Sequence, residues 1–297
     1  MEDFIKPFGE EAHQSIVWMN QICEEIGNRE YKYQFLREDI FEDMLLNDYQ
    51  QGMQVYWMEM LLRSHWAAST SLFRNQRWIE GVYAGIKMNN YMLFSSCLRS
   101  LLESAGDTND IIPQCAVAFA DHYKDIYISL EGKAPHLFLS EELENKLIHY
   151  AYAKKQSNAQ GVPASHVNQT AREYLNKISN TRELKRFHSC YSELCEVTHP
   201  AKASVFAFID EDNKTLKLNN NKDADLIKEF CGKYSLELSY LYYLAVNPSL
   251  VLLKTLNCFS LEFVCTEIID TMNLDSIPTW KSIISKIKEQ KKLLIVE

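Results

Sequence analysis

Apolar residues recur every three or four positions along most of the chain, which is the spacing of helices with one buried face. In the first half, this pattern predicts helices over about 11–27, 33–48, 53–78, 80–105 and 113–130. Gly106 is expected to end the fourth of these, and Pro113 to lie in the first turn of the fifth. Ser140, followed by two glutamates, is predicted to cap the N-terminus of the next helix.

The second half is predicted to be helical with one interruption. The polar stretch 156–166 is the best candidate hinge, and a helix is expected from about 167 until Pro200 stops it. Residues 203–209 favour a strand, and the alternation over 215–219 completes a short hairpin or extended excursion. Helices then resume near 223, at Asn247-Pro248 as cap and first helical residue, and after Pro278.

The composition supports this fold class. Nine glycines and seven prolines are few for 297 residues, because these types together average about 12% of a globular chain. We predict a mainly α-helical protein, a multi-helix bundle with a short β-hairpin-like excursion near 203–219. Its predicted parts are an acidic helical region (1–60), a central bundle (61–200) and C-terminal helices with the β excursion (201–297), which could also form one continuous domain.

Cysteine spacing and hydropathy bear on compartment. The eight cysteines form no C-x-x-C pair, which disfavours zinc ribbons and thioredoxin-like chemistry. The acidic N-terminus lacks an apolar signal region, and no apolar run approaches about 18 residues. We therefore expect a cytoplasmic protein without membrane contact. Because no common nucleotide-loop, H-E-x-x-H or G-x-S-x-G motif occurs, we expect neither cofactor nor metal.

Charge is distributed unevenly along the chain. The net charge is −9, and residues 1–60 carry all of it, with 13 acidic against four basic side chains. Residues 151–190 instead hold seven basic side chains against two glutamates, a net charge of +5. These segments are either solvated helix faces or surfaces for docking, in which the acidic region binds a protein partner or a second copy, or shields an anion site.

Three groups of residues are candidates for chemistry. Arg99 and Glu103, four apart on a helix, either lock the bundle as an ion pair or hold a guanidinium ready for a phosphate or carboxylate. Arg182 and His188, beside Lys185 and Arg186, could cleave RNA without metal, or be a solvated arginine and a core histidine. His199, at a helix end before proline, is either a capping residue or a general acid/base.

Two motifs resemble those of a known group of proteins. They are Arg-Ser-Leu-Leu-Glu at 99–103 and Tyr-x-x-Leu-Cys-x-x-x-His-Pro at 191–200. Within about 80–200, the chain resembles bacterial all-helical proteins that are distantly similar to the HEPN superfamily. That resemblance implies a helical bundle, often dimeric and often a ribonuclease in toxin–antitoxin or anti-phage systems. It also implies that the superfamily's catalytic pair falls on Arg182 and His188.

Three hypotheses for function follow. The first is a metal-independent ribonuclease of a defence or toxin system, using Arg182 and His188 with support from His199 or Arg99. The second is a non-catalytic helical interaction protein that forms homo-oligomers, in which the acidic residues 1–60 and the basic segment 151–190 mediate assembly. The third is a nucleotide or small-molecule sensor that binds its ligand through Arg99 and Glu103.

Overall fold

The computed structural model describes residues 9–153, 167–179, 186–212 and 215–295. Within these ranges the chain forms thirteen α-helices and one two-stranded antiparallel hairpin. The mainly α-helical fold with a hairpin near 203–219 is thereby confirmed. The helices are α1 (Glu10–Asn28), α2 (Glu38–Asn47), α3 (Tyr49–Lys87), α4 (Tyr91–Asp121), α5 (Tyr123–Leu130), α6 (Glu141–Tyr152), α7 (Ala171–Ser179), α8 (Phe187–Thr198), α9 (Lys202–Phe206), α10 (Asp223–Lys233), α11 (Ser235–Asn257), α12 (Ile268–Thr271) and α13 (Pro278–Ile295).

The chain divides into two compact units, each assembled from separate stretches of sequence. Unit 1 is drawn from residues 1–20, 72–109 and 169–246, and unit 2 from 21–71, 110–168 and 247–297. The division into 1–60, 61–200 and 201–297 stays a prediction. The hinge predicted at 156–166 lies outside the described residues.

Unit 1 contains a buried polar network inside its apolar core. The Nδ2 atom of Asn75, on α3, donates to the carbonyl oxygen of Ala245 at 2.6 Å and to Thr108 Oγ1 at 3.3 Å. Ser104 Oγ donates to the Asn75 side-chain oxygen. All three side chains are buried, so their hydrogen bonds offset the free-energy cost of removing them from water.

Unit 2 has an aromatic core. Trp57, on α3, is buried, stacks on Phe138 with 5.2 Å between ring centroids, and donates from Nε1 to the Phe138 carbonyl at 3.2 Å. Tyr123 stacks on Phe259 at 4.7 Å. Helix α13 packs on α5. The predicted cap is present, since Ser140 Oγ accepts from the backbone of α6 at 3.4 Å.

Two helix boundaries predicted from proline and glycine are wrong. Helix α4 runs unbroken through Gly106 and Pro113, and α11 runs through Pro248. A proline inside a helix removes one N–H and displaces the carbonyl four residues earlier. In α11, the bond from Asn75 to the Ala245 carbonyl supplies a donor in this disturbed turn.

The hairpin lies slightly later than the sequence pattern suggests. Residues 203–206, predicted as part of a strand, belong to the short helix α9. Ser204 Oγ fixes its first turn, accepting from Ala201 N at 3.2 Å and donating to Ala201 O at 2.8 Å. Strands β1 (Ile209–Asp212) and β2 (Thr215–Leu218) then pair antiparallel. Near the N-terminus, α2 begins at Glu38 rather than near residue 33, because the preceding residues are extended.

One helix, α11, is long and apolar enough by length and composition to cross a membrane. Its apolar window is 78% buried inside the protein. That burial is typical of a core helix, so its composition is weak support for a membrane span. Localisation in the cytoplasm stays a prediction.

Candidate functional site

Two motifs separated by about 90 residues of sequence meet in unit 1. Arg99 on α4 and His199 at the end of α8 lie side by side, with 3.4 Å between Arg99 Nη1 and His199 Nε2. The same Nη1 lies 3.4 Å from Thr198 Oγ1. The other side of the guanidinium, at Nε, lies 3.5 Å from the Tyr191 hydroxyl and 3.3 Å from Glu103 Oε1. We call Arg99, Glu103, Tyr191, Thr198 and His199 the arginine cluster.

Tyr191 and Glu103 form the rigid side of the arginine cluster. The Tyr191 hydroxyl donates to Glu103 Oε1 at 2.6 Å, the shortest contact in the cluster. The Arg99 guanidinium carbon lies 5.7 Å from the centroid of the Tyr191 ring, within reach of a cation–π interaction. Tyr191 therefore orients Glu103 and contacts Arg99 at the same time, which links α4 to α8.

Helix geometry explains why each motif presents its residues together. Arg99 and Glu103 are four residues apart and share a face of α4. Tyr191 and Cys195 are likewise four apart on α8, and His199 follows at its C-cap. Because Pro200 prevents the helix from continuing, α8 ends at Thr198 and His199 adopts an extended backbone. The imidazole is thereby held at a fixed corner and is exposed to solvent.

The neighbours of Arg99 also favour its charged form. Burial alone would lower the pKa of the guanidinium, but the Tyr191 hydroxyl, Cys195 and Glu103 outweigh that effect and raise the pKa above its usual value. Burial and the hydrogen bond to Glu103 raise the pKa of the Tyr191 hydroxyl. Tyr191 is therefore a protonated donor, and Arg99 a permanent cation.

The contacts of Arg99 are long and therefore weak, so a ligand that forms shorter hydrogen bonds could replace them. Distances of 3.3–3.5 Å exceed the 2.7–3.2 Å of well-formed N–H···O hydrogen bonds. The side chain is 28% exposed, and no described residue accepts a hydrogen bond from Nη2. An oxyanion that replaced these contacts would form shorter, charge-assisted bonds to the guanidinium. The cluster can therefore bind a phosphate or carboxylate beside an imidazole.

Two other predicted site residues that the structure describes, His188 and Arg186, do not join the arginine cluster. His188 is half-buried on α8, and eleven residues along a helix separate it from His199 by about 16 Å. Arg186 contacts different groups, donating to the Lys233 carbonyl at 2.7 Å and lying 3.7 Å from the buried Glu237. Arg182 and Lys185 lie outside the described residues. The pairing of Arg182 with His188, and a binding role for Lys185 and Arg186, stay predictions.

Sequence reasoning missed the contribution of Thr198. Its hydroxyl lies within the cluster and donates to the Leu194 carbonyl at 2.9 Å, as a threonine inside a helix commonly does. The signal available in the sequence was its place directly before His199. From the sequence, Tyr191 was identified only as a residue of the motif. Its hydrogen bond to Glu103 could be identified only from the three-dimensional structure.

Unit 2 has a separate shallow groove of about 350 Å³ between α4 and the start of α6. Its charged groups already have partners: Lys146 pairs with Glu142, and Asp121 with Lys286. No group of three or more metal-ligating side chains occurs in the described parts of the chain. The arginine cluster is thus the better candidate site.

Comparison with protein-family models, with curated proteins and with solved structures found no match to this chain. The resemblance to HEPN-like proteins therefore rests on the two motifs alone, and function must be argued from the geometry of the arginine cluster.

Proposed function

We propose that the protein is a metal-independent ribonuclease whose phosphate-binding and proton-transfer groups are Arg99 and His199. The observation that carries this proposal is the 3.4 Å approach of Arg99 Nη1 to His199 Nε2. The guanidinium can donate a hydrogen bond and the imidazole nitrogen can accept one, so the two groups can lie side by side. A neutral imidazole beside a phosphate-binding guanidinium is the pair that cleavage through the RNA 2′-hydroxyl needs.

In the proposed reaction, Arg99 binds the oxygens of the scissile phosphate and stabilises the charge that develops on them. Because Arg99 turns from His199 Nε2 to the phosphate, the lone pair of Nε2 becomes free; Nε2 then removes the proton from the 2′-hydroxyl, and the 2′-oxygen forms a bond to phosphorus. The bond from phosphorus to the 5′-oxygen breaks, and water protonates that oxygen. The products are a 2′,3′-cyclic phosphate and a 5′-hydroxyl, and His199 returns its proton to solvent. Tyr191 and Glu103 position Arg99 throughout.

The test compares purified wild type, His199→Ala and Arg99→Lys on single-stranded RNA in the presence of EDTA. Removing a general base or one charge-stabilising donor typically costs about 100-fold or more in rate, and we expect that loss for both variants. His136→Ala, at another exposed histidine, is the matched control. His188→Ala tests the pairing of Arg182 with His188.

Wild-type cleavage in EDTA should leave 2′,3′-cyclic phosphate ends and should not occur on DNA, which lacks the 2′-hydroxyl. Equal cleavage by wild type and His199→Ala would refute the proposal. Binding of RNA or a nucleotide without cleavage, abolished by Arg99→Lys, would also refute catalysis and would support a sensor instead.

A second candidate is an assembly role without catalysis. The observation that favours it is the exposure of α2, an acidic helix with no buried residue. Because most of the surface of α2 stays accessible, this helix is available to bind a partner. The exposed surface of α2 is the same whether or not the protein cleaves RNA.

A further inference from the structure

Helix α2 presents acidic and apolar side chains together on its outer face. Its inner face rests on α3, where the Phe41 and Tyr56 ring centroids are 6.1 Å apart. Asp39, Asp43 and Leu46 follow the helical spacing on the opposite face. Leu46 is 84% exposed. Asp39 pairs with Arg37, whereas Glu42 and Asp43 form no ion pair within the described parts of the chain.

Helix α13, in the same unit, carries the opposite charge. Lys281, Lys288 and Lys292 are exposed and lie on one stripe, at spacings of seven and four residues. None of the three forms an ion pair with a described residue. The stripe spans about 16 Å, and the neighbouring Leu293 is 53% exposed. We call these three lysines the lysine stripe.

We infer that the acidic face of α2 docks on the lysine stripe of α13 in a second copy of the chain. The charges are complementary, and both surfaces combine charge with an exposed leucine. The inference gives the assembly role a partner and is independent of the nuclease proposal.

A second protein molecule is a better partner for these two surfaces than a nucleic acid is. An exposed leucine among carboxylates gains free energy by packing against another apolar side chain, and RNA offers none of that kind. A second copy of the chain supplies an acidic α2 for the lysine stripe and a lysine stripe for the acidic α2, so both surfaces gain a partner.

The test uses sedimentation velocity on the full chain over a range of concentrations. One variant carries Glu42→Lys and Asp43→Lys, and another carries Lys288→Glu and Lys292→Glu. We expect each reversal to weaken self-association at least about tenfold, since opposed like charges replace attractive pairs. An equimolar mixture of the two variants should form heterodimers, because each mixed contact again joins opposite charges. Raising the salt should weaken all of these complexes.

A matched control carries Lys217→Glu and Lys228→Glu, which change the net charge equally at exposed lysines of unit 1. It should associate like wild type, and circular dichroism should show that all variants fold. The inference is overturned if wild type is monomeric at low salt and high concentration, or if the mixture stays monomeric. It is also overturned if reversing the lysine stripe reduces RNA binding but leaves self-association unchanged.

Discussion

Acidification is expected to destabilise unit 2 through His65, which is completely buried. The Tyr33 hydroxyl and His65 Nδ1 are 2.8 Å apart, and Thr266 Oγ1 lies 3.4 Å from Nε2. Burial, with a smaller contribution from the Arg29 charge, lowers the pKa of His65 from 6.5 to about 4. The folded protein therefore keeps His65 neutral at pH values where the unfolded chain binds a proton.

The direction and size of the effect follow from proton linkage. Above pH 6.5 both states leave His65 neutral, so the folded state is not penalised. Between pH 6.5 and about 4 the unfolded state binds more protons, and stability falls as the pH falls. At 1.36 kcal/mol per pH unit, the complete loss is about 3 kcal/mol, and most of it should appear by about pH 4.5.

The assay measures the free energy of unfolding in urea from pH 7.5 to 4.5 for wild type and His65→Gln. Glutamine keeps one donor and one acceptor but does not titrate, so all other ionisable groups contribute equally to both proteins. Wild type should lose about 2–3 kcal/mol more than the variant over this range. Parallel curves would refute the assignment of a low pKa to His65. Tyr33→Phe serves as a control that leaves the imidazole buried.

Three further substitutions test local contacts by urea unfolding. Asn75→Ala removes the donor to the Ala245 carbonyl. It should lower the free energy of unfolding by about 2–3 kcal/mol, because buried groups lose their partners. A loss below about 0.5 kcal/mol would contradict that role. Ser140→Ala removes the cap of α6 and should cost about 1 kcal/mol, and Ser140→Asp should restore most of it. Gly85→Ala would place a Cβ 2.5 Å from the Phe94 backbone nitrogen, so it should lower the free energy of unfolding by more than about 1 kcal/mol. Gly232→Ala is the control, because a Cβ there meets open space and should cause no such loss.

Helical periodicity predicted the fold class because the apolar spacing that marks the buried face of a helix can be read within a short stretch of sequence. Helix ends were harder, and Pro113 and Pro248 show why. A proline ends a helix only when the disturbed carbonyls and the bend are not accommodated elsewhere. In α11, the Ala245 carbonyl in the turn before Pro248 accepts a hydrogen bond from Asn75, which is 170 residues away in sequence. No local pattern contains that information.

The arginine cluster divides in the same way. Spacing alone places Arg99 over Glu103 and sets His199 at the end of its helix, so both halves of the site were identified from sequence. What spacing could not supply is the hydrogen bond from Tyr191 to Glu103, which joins the halves across 88 residues. That bond adds a contact between helices to an ordinary helix-surface ion pair, because Tyr191 donates to Glu103 while the far side of Arg99 faces the imidazole. Arg182 lies outside the described residues, so its pairing with His188 stays a prediction, whereas Arg99 and His199 lie 3.4 Å apart.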